Sequence, residues 1–193
     1  DFLYPNPASV LAFIENHDTD RFLGEGQNLA MLKQATTLLL TTRRIPQLYY
    51  GTEIMMNGVK TKSDGYVRCD FPGGWAGDKQ NAFTAEGRTA LQNECYNFYK
   101  TILNWRKGND VIAKGSMTQF MVQHGVYAYA RQYEGKTVFV MLNGTDSETI
   151  LPLKYYKEIL KDTTQGKDIL SGRTISFTED LKMAPRESLI IEL

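Results

Sequence analysis

Residues 10–21 read VLAFIENHDTDR, and this stretch decides the fold class of the first half of the chain. The apolar run at residues 10–14 has the length and composition of a buried β-strand. A polar segment containing Glu15, His17 and Asp18 follows it directly. In parallel βα proteins the carboxyl ends of the strands face the substrate crevice, so His17 and Asp18 are candidate functional residues. A solvated loop with a helix-capping aspartate would give the same pattern.

Alternating strand-like and helix-like segments continue from this stretch to about residue 109. The predicted elements are a helix over 28–42, a strand over 47–50, a long irregular segment over 52–83, and a helix from Thr84 to about Lys107. Apolar residues from Leu91 to Trp105 recur at three- and four-residue spacing, which predicts one apolar stripe on the last helix. This order of elements is typical of consecutive βα units of an α/β protein.

The rest of the chain consists of short β-rich runs separated by turns. The sequence Glu134-Gly135-Lys136 predicts a tight hairpin between two of them. Several short strands with regular turns favour an antiparallel sandwich. The predicted strands cover 116–122, 126–133, 137–142, 149–153, 173–177 and 188–193. We therefore predict two domains, an α/β portion at 1–109 and an all-β domain at 110–193.

Composition excludes several classes of partner. The 193 residues contain 22 basic and 22 acidic side chains, and this balance argues against a nucleic-acid or anionic-membrane surface. No apolar run approaches the roughly 20 residues of a membrane-spanning helix. Cys69 and Cys95 are too few for a disulfide framework or a cysteine-based zinc site, and they leave the cellular compartment open.

Three motifs resemble those of one enzyme family. Residues 13–21 resemble the last signature motif of the α-amylase family of glycoside hydrolases, which follows barrel strand seven and has an Asn-His-Asp core. Residues 45–53 resemble the family's strand-eight motif, with Arg44 where a glycine is usual. Residues 64–68 resemble the Asp–x–x–x–Arg pair of neopullulanase- and cyclomaltodextrinase-like members. The C-terminal β-rich region resembles the family's domain C.

The resemblance implies a role for each matched residue. Asp18 would be the carboxylate that grips sugar hydroxyls and stabilises the oxocarbenium-like transition state. His17 would hydrogen-bond the same sugar, and Asp64 and Arg68 would contact the next sugar on the non-reducing side. An ordinary surface ion pair remains the alternative for Asp64 and Arg68. Arg21 is interpreted as a partner in a structural ion pair, and Glu15 as a structural carboxylate.

The family motifs that the chain lacks indicate which part of such an enzyme the chain would form. A retaining glycosidase needs a nucleophilic carboxylate and an acid/base carboxylate, which in this family come from strands four and five, and nothing here resembles either motif. A full (β/α)8 barrel needs about 250 residues. We therefore predict the C-terminal part of a TIM barrel, strand seven to helix eight, followed by a β-sandwich domain C. The 193 residues alone are expected to be inactive.

Three further expectations accompany this prediction. The substrate would be an α-1,4-glucan such as starch, pullulan, a maltooligosaccharide or a cyclodextrin; a non-catalytic amylase-like scaffold or glucan-binding module is the alternative. No cofactor or metal is assigned, because the calcium ligands usual in the family lie outside these motifs. Apolar faces of strand seven and of the 91–105 stripe would be exposed and could drive self-association. We expect Trp75 to pack under its own turn, with stacking on a sugar as the alternative.

Overall fold

The computed structural model describes residues 3–193, which divide into two compact units. Among the described residues, the first unit comprises the chain up to Leu39 and Arg44–Lys100, and the second comprises Leu40–Arg43 and Thr101–Leu193. The division falls within a helix near residue 100. The predicted domain boundary at 109 stays a prediction.

The first unit contains one parallel strand pair and the helices that follow the strands. Leu11 pairs with Ile45 and Ala12 pairs with Pro46. The elements in or entering this unit are β1 (Leu11–Ala12), α1 (Leu29–Thr41), β2 (Ile45–Pro46), α2 (Asp64–Val67) and α3 (Ala90–Arg106). This order of strand, helix, strand, irregular segment and helix agrees with the predicted α/β organisation.

Two predictions about the strands of this unit are wrong. The run at 10–14 is not a buried strand, because β1 has two residues and Leu11 is 52% exposed. The second strand was predicted at 47–50 but lies at Ile45–Pro46. Proline fits there because β2 pairs only with β1 in the described chain, and an edge position does not require every backbone N–H.

The start of the last helix of the first unit also differs from the prediction. The hydroxyl of Thr84 accepts the amide of Gly87 in a turn and does not cap the helix. The cap is instead formed by Thr89 and Gln92. Gln92 N–H donates to Thr89 Oγ1 at 3.2 Å, and Thr89 N–H donates to Gln92 Oε1 at 2.9 Å. This reciprocal capping box fixes the start of α3 at Ala90.

The middle of the apolar stripe of α3 is buried, contrary to the expected exposure, and Leu91 and Trp105 at its ends are half-buried. Cys95 and Ile102 are fully buried, and Phe98 is nearly so. The Cys95 thiol donates to the Thr52 carbonyl, and the Tyr99 hydroxyl lies 2.7 Å from that of Thr36. The expected exposure holds only for the strands, where Leu11 and Ile45 are 52% and 51% exposed.

The second unit is built on antiparallel strands. The elements are α4 (Asp110–Lys114), β3 (Ser116–Gln119), β4 (Val126–Tyr133), β5 (Lys136–Asn143), β6 (Thr149–Leu151), α5 (Lys157–Leu160), β7 (Gln165–Asp168), β8 (Thr174–Ser176), β9 (Leu181–Met183) and β10 (Ser188–Glu192). A six-stranded sheet has the order β3-β4-β5-β10-β7-β8, and β6 pairs with β9 in a separate ribbon. The prediction of an all-β antiparallel domain after an α/β portion is confirmed.

The core of the second unit lies between the main sheet and the β6–β9 ribbon. Phe139 and Met141 of β5 pack in one cluster with Leu151 of β6 and Met183 of β9. The other face of the sheet is also buried. There Tyr129 contacts Thr41 through a 2.6 Å hydroxyl–hydroxyl hydrogen bond. Burial on both faces explains why β5 reads as a nearly continuous apolar run.

Candidate functional site

The predicted His17 and Asp18 lie in a tight loop after β1. Asp18 N–H donates to the side chain of Asn16 at 2.7 Å, and Asn16 N–H donates to Thr19 Oγ1 at 3.1 Å. These local hydrogen bonds fold the backbone into an Asx-type turn. The side chains of His17 and Asp18 are therefore left 59% and 62% exposed at the carboxyl end of a parallel strand.

The structure brings all four sequence-predicted site residues together. Arg68 Nη2 lies 3.1 Å from an oxygen of Asp18 and 3.1 Å from an oxygen of Asp64. Arg68 Nε also donates to the backbone carbonyl of His17 at 2.9 Å. The imidazole Nε2 of His17 lies 3.1 Å from the other oxygen of Asp18. One guanidinium thus connects two carboxylates that are 46 positions apart in sequence.

The short helix α2 positions Asp64 and Arg68. Its N-cap is Ser63, whose hydroxyl accepts the amide of Tyr66 at 3.1 Å. Asp64 occupies the first turn, where a negative charge is favoured by the unpaired N–H groups. Arg68 follows the last turn, so the two side chains form an i,i+4 pair on one side of the helix.

Lys60 is a member of the site that sequence reasoning missed. Its ammonium donates to the carbonyl of Asp18 at 3.0 Å and lies 3.3 Å from a carboxylate oxygen of Asp64. Its backbone N–H donates to Asp20 at 2.6 Å. No motif marks this lysine, because it lies in an irregular loop. The spacing of four residues to Asp64 was the only available signal.

A buried ion pair lies beneath the exposed residues. Glu15 and Arg21 are 2% and 1% exposed, and Arg21 Nη1 lies 3.1 Å from Glu15 Oε1. The guanidinium carbon of Arg21 also lies 4.0 Å from the ring centroid of Tyr49 and 4.9 Å from that of Tyr50. The structural ion pair predicted for Arg21, with Glu15 as a structural carboxylate, is present.

A tyrosine anchors the residue that follows Arg68. The hydroxyl of Tyr50 donates to the carbonyl of Cys69 at 2.7 Å. Partial burial, followed by the neighbouring Tyr49, raises the pKa of Tyr50 above its ordinary value. The phenol therefore stays protonated and able to donate at neutral pH.

Trp75 differs from its prediction. The side chain is 67% exposed and does not pack under its own turn. The carboxylate of Asp78 holds that turn by accepting the amides of Gly73 and Trp75, at 2.6 and 3.1 Å. Because Asp78 stabilises the backbone of this turn, the turn does not need to pack against the indole ring.

The site presents both hydrogen-bond acceptors and hydrogen-bond donors that can bind hydroxyl groups. Asp18 and Asp64 present carboxylate oxygens as acceptors, and His17, Lys60 and Arg68 present N–H groups that can donate. Among residues 3–193, no group of three or more histidine, cysteine or acidic side chains is arranged to hold a metal ion. No helix in the described part of the chain is long and apolar enough to cross a membrane.

Comparisons with known proteins point to one family. Residues 117–192 match the family model described as the cyclo-malto-dextrinase C-terminal domain. The chain is 31% identical over 179 residues to an α-amylase of Niallia circulans, covering 87% of this chain and 30% of that protein. Over most of its length the chain is therefore similar to members of the α-amylase family. A cyclomaltodextrin glucanotransferase of Thermoanaerobacterium thermosulfurigenes is 30% identical over 184 residues, covering 91% of this chain and 22% of that protein.

Solved structures of the family share this fold. An Anoxybacillus α-amylase aligns with a TM-score of 0.77 at 20% identity, over 98% of this chain and 39% of its own. A cyclomaltodextrin glucanotransferase with a three-domain ABC distribution aligns with a TM-score of 0.73 at 24% identity, over 98% of this chain and 37% of its own. The chain thus spans less than a third of the length of the two curated relatives described above.

Proposed function

We propose that this chain is the C-terminal part of a retaining glycosidase that acts on α-1,4-glucosidic bonds of starch-type glucans. The observation that carries the proposal is the convergence of Asp18, at the end of a parallel strand, with Asp64 and Arg68 through one guanidinium. The relatives support the substrate class, because they are named as an α-amylase and cyclomaltodextrin glucanotransferases. The residues before β1 would complete a (β/α)8 barrel.

Asp18 is the residue that acts closest to the chemistry in this proposal. Glycoside hydrolysis passes through an oxocarbenium-like transition state that carries positive charge on the sugar ring. A carboxylate that accepts hydrogen bonds from sugar hydroxyls and faces this charge lowers the barrier. His17 donates to the same sugar. Asp64 and Arg68 hold the neighbouring sugar.

Two carboxylates of the reaction would come from the preceding part of the barrel. A retaining mechanism requires a nucleophile and an acid/base about 5–5.5 Å apart. We assign neither role to Asp18 or Asp64, since each carboxylate accepts a hydrogen bond from the guanidinium of Arg68. We therefore expect the 193 residues alone to bind glucan weakly and not to cleave it.

Turnover by the longer protein tests the proposal. Asp18→Asn should lower kcat on maltoheptaose by at least about 100-fold, which corresponds to about 2.7 kcal/mol of transition-state stabilisation. Asp146→Asn is the matched control, because Asp146 is also an exposed aspartate paired with an arginine, Arg186, in the second unit. Turnover of Asp18→Asn near that of the control would overturn the assignment.

Two assays of the same longer protein distinguish the glycosidase from the non-catalytic alternative. A glucan-binding scaffold would bind maltoheptaose in calorimetric titration and release no reducing ends at any enzyme concentration. The glycosidase predicts both binding and release of reducing ends. Starch, pullulan and cyclodextrin tested side by side would then rank the substrates.

A further inference from the structure

We propose that the buried Glu15–Arg21 pair is a positioning device that aligns the two exposed halves of the site. This inference rests on the proposed function, because it assigns to the pair an effect on turnover. The exposed Trp75 and a groove of about 510 Å³ beside the Glu134–Gly135 turn show no group that points to a ligand. The buried pair, by contrast, contacts both halves of the site.

The pair closes the loop that carries His17 and Asp18. Glu15 and Arg21 stand at the two ends of this loop, and their ion pair joins the ends at 3.1 Å. The second carboxylate oxygen of Glu15 accepts the amide of Phe22 at 2.6 Å. Both ends of the loop are therefore fixed in a buried environment, where a misplaced charge is costly.

The same guanidinium fixes the other half of the site. Arg21 Nε donates to the carbonyl of Val67 at 3.1 Å, and Val67 immediately precedes Arg68. Arg21 Nη1 also donates to the carbonyl of Tyr50 at 2.7 Å, and the Tyr50 hydroxyl anchors Cys69. Arg68 is thus held from both sides by contacts that lead back to Arg21.

The exposed ion pairs of the site cannot supply this order themselves. The side chains of Asp18, Asp64 and Arg68 are 62%, 56% and 40% exposed. Pairs this exposed contribute little, since water screens the charges and ordering the side chains costs entropy. A guanidinium with several fixed partners has one geometry, which a lysine cannot reproduce. The buried pair is therefore the element that sets the distance between Arg68 and Asp18.

Thr52 provides a gentle test of this network. Its hydroxyl donates to Glu15 Oε1, the oxygen that also faces Arg21. Thr52→Ser keeps this hydroxyl, and Thr52→Val removes it with little change in shape. A positioning role predicts that the serine variant retains turnover and that the valine variant lowers kcat several-fold with a smaller change in KM.

The main experiment compares Arg21→Lys with Arg131→Lys in the longer protein. Arg131 is equally buried and lies in the second unit, so its variant controls for loss of stability. We expect Arg21→Lys to lower kcat on maltoheptaose at least about tenfold and to speed hydrogen exchange in residues 13–22. Arg131→Lys should change neither. Combined with Asp18→Asn, Arg21→Lys should cause a smaller further loss than it causes alone, because one of the groups it positions is already disabled.

The outcomes separate this inference from the function on which it rests. An inactive Asp18→Asn beside fully active Arg21→Lys and Thr52→Val variants would overturn the inference and keep the function. Multiplicative losses in the double variant would also overturn it, because they indicate independent effects. An active Asp18→Asn would overturn the proposed function, and unchanged exchange in residues 13–22 would then also remove the positioning role.

Discussion

Two buried tyrosines of the second unit should respond in opposite directions to the same substitution. Tyr129 and Tyr156 are both fully buried in the core. The hydroxyl of Tyr129 lies 2.6 Å from that of Thr41. The hydroxyl of Tyr156 has no hydrogen-bond partner among residues 3–193. Replacement by phenylalanine removes only the hydroxyl. Comparing the two variants therefore measures how a hydrogen-bonded and an unpaired buried hydroxyl each affect the free energy of unfolding.

The expected magnitudes follow from the hydrogen bonding. Tyr129→Phe loses one hydrogen bond and should lower the free energy of unfolding by about 1 kcal/mol. Tyr156→Phe relieves the burial of an unpaired hydroxyl and should raise it by about 1 kcal/mol. The difference of about 2 kcal/mol corresponds to about 4–8 °C in Tm for a chain of this size.

Urea unfolding followed by far-ultraviolet circular dichroism measures both values, with thermal melts as a second probe. The slope of the unfolding curve should be the same for both variants, so that the midpoint reports stability directly. If Tyr156→Phe destabilises the protein as much as Tyr129→Phe, the Tyr156 hydroxyl has an acceptor and the reasoning is wrong.

Three further perturbations test the packing. Arg131 donates to the carbonyls of Thr41, Ile112 and Gly115, each at 2.8 Å; Arg131→Met should cost about 2–4 kcal/mol in urea unfolding, and a cost below about 0.5 kcal/mol would contradict this. Burial raises the pKa of the Cys95 thiol to about 12 from its ordinary value of 9.0. The stability that the buried neutral thiol contributes is therefore fully present below pH 9.0 and is lost as the pH rises through 12. Urea midpoints at pH 8 and 10.5 should show this fall, and a Cys95→Ala variant should show a smaller one. Thr89→Ala removes half of the capping box and should cost about 1 kcal/mol, whereas an unchanged midpoint would place the start of α3 elsewhere.

Local sequence determined the β4–β5 hairpin almost to the residue. The alternation of β4, the apolar run of β5 and the Glu134–Gly135 turn all predict the same structure. Both turn residues have positive φ, as a two-residue hairpin loop requires. By contrast, β7 (Gln165–Asp168) was missed, because it contains no apolar side chain and exists only through pairing with β10 and β8.

The motif residues of the candidate site could be predicted from the sequence, but Lys60 and the backbone contacts that hold these residues in place could not. His17, Asp18, Asp64 and Arg68 stand in motifs, so their positions in sequence were enough to select them. Lys60 stands in no motif, and its place depends on how the loop after β2 folds back. The many partners of Arg21 arise from backbone carbonyls far away in sequence, which no periodicity or spacing encodes.

In the proposed glycosidase, Asp18 and Arg68 face a bound α-glucan. A crystal structure of the longer protein soaked with maltoheptaose would show this contact. We expect a glucose unit whose hydroxyls lie within hydrogen-bond distance, about 2.5–3.0 Å, of the Asp18 carboxylate, with the next unit on Asp64 and Arg68. An occupied sugar-binding cleft that leaves Asp18 in contact with solvent alone would overturn the proposed role of Asp18.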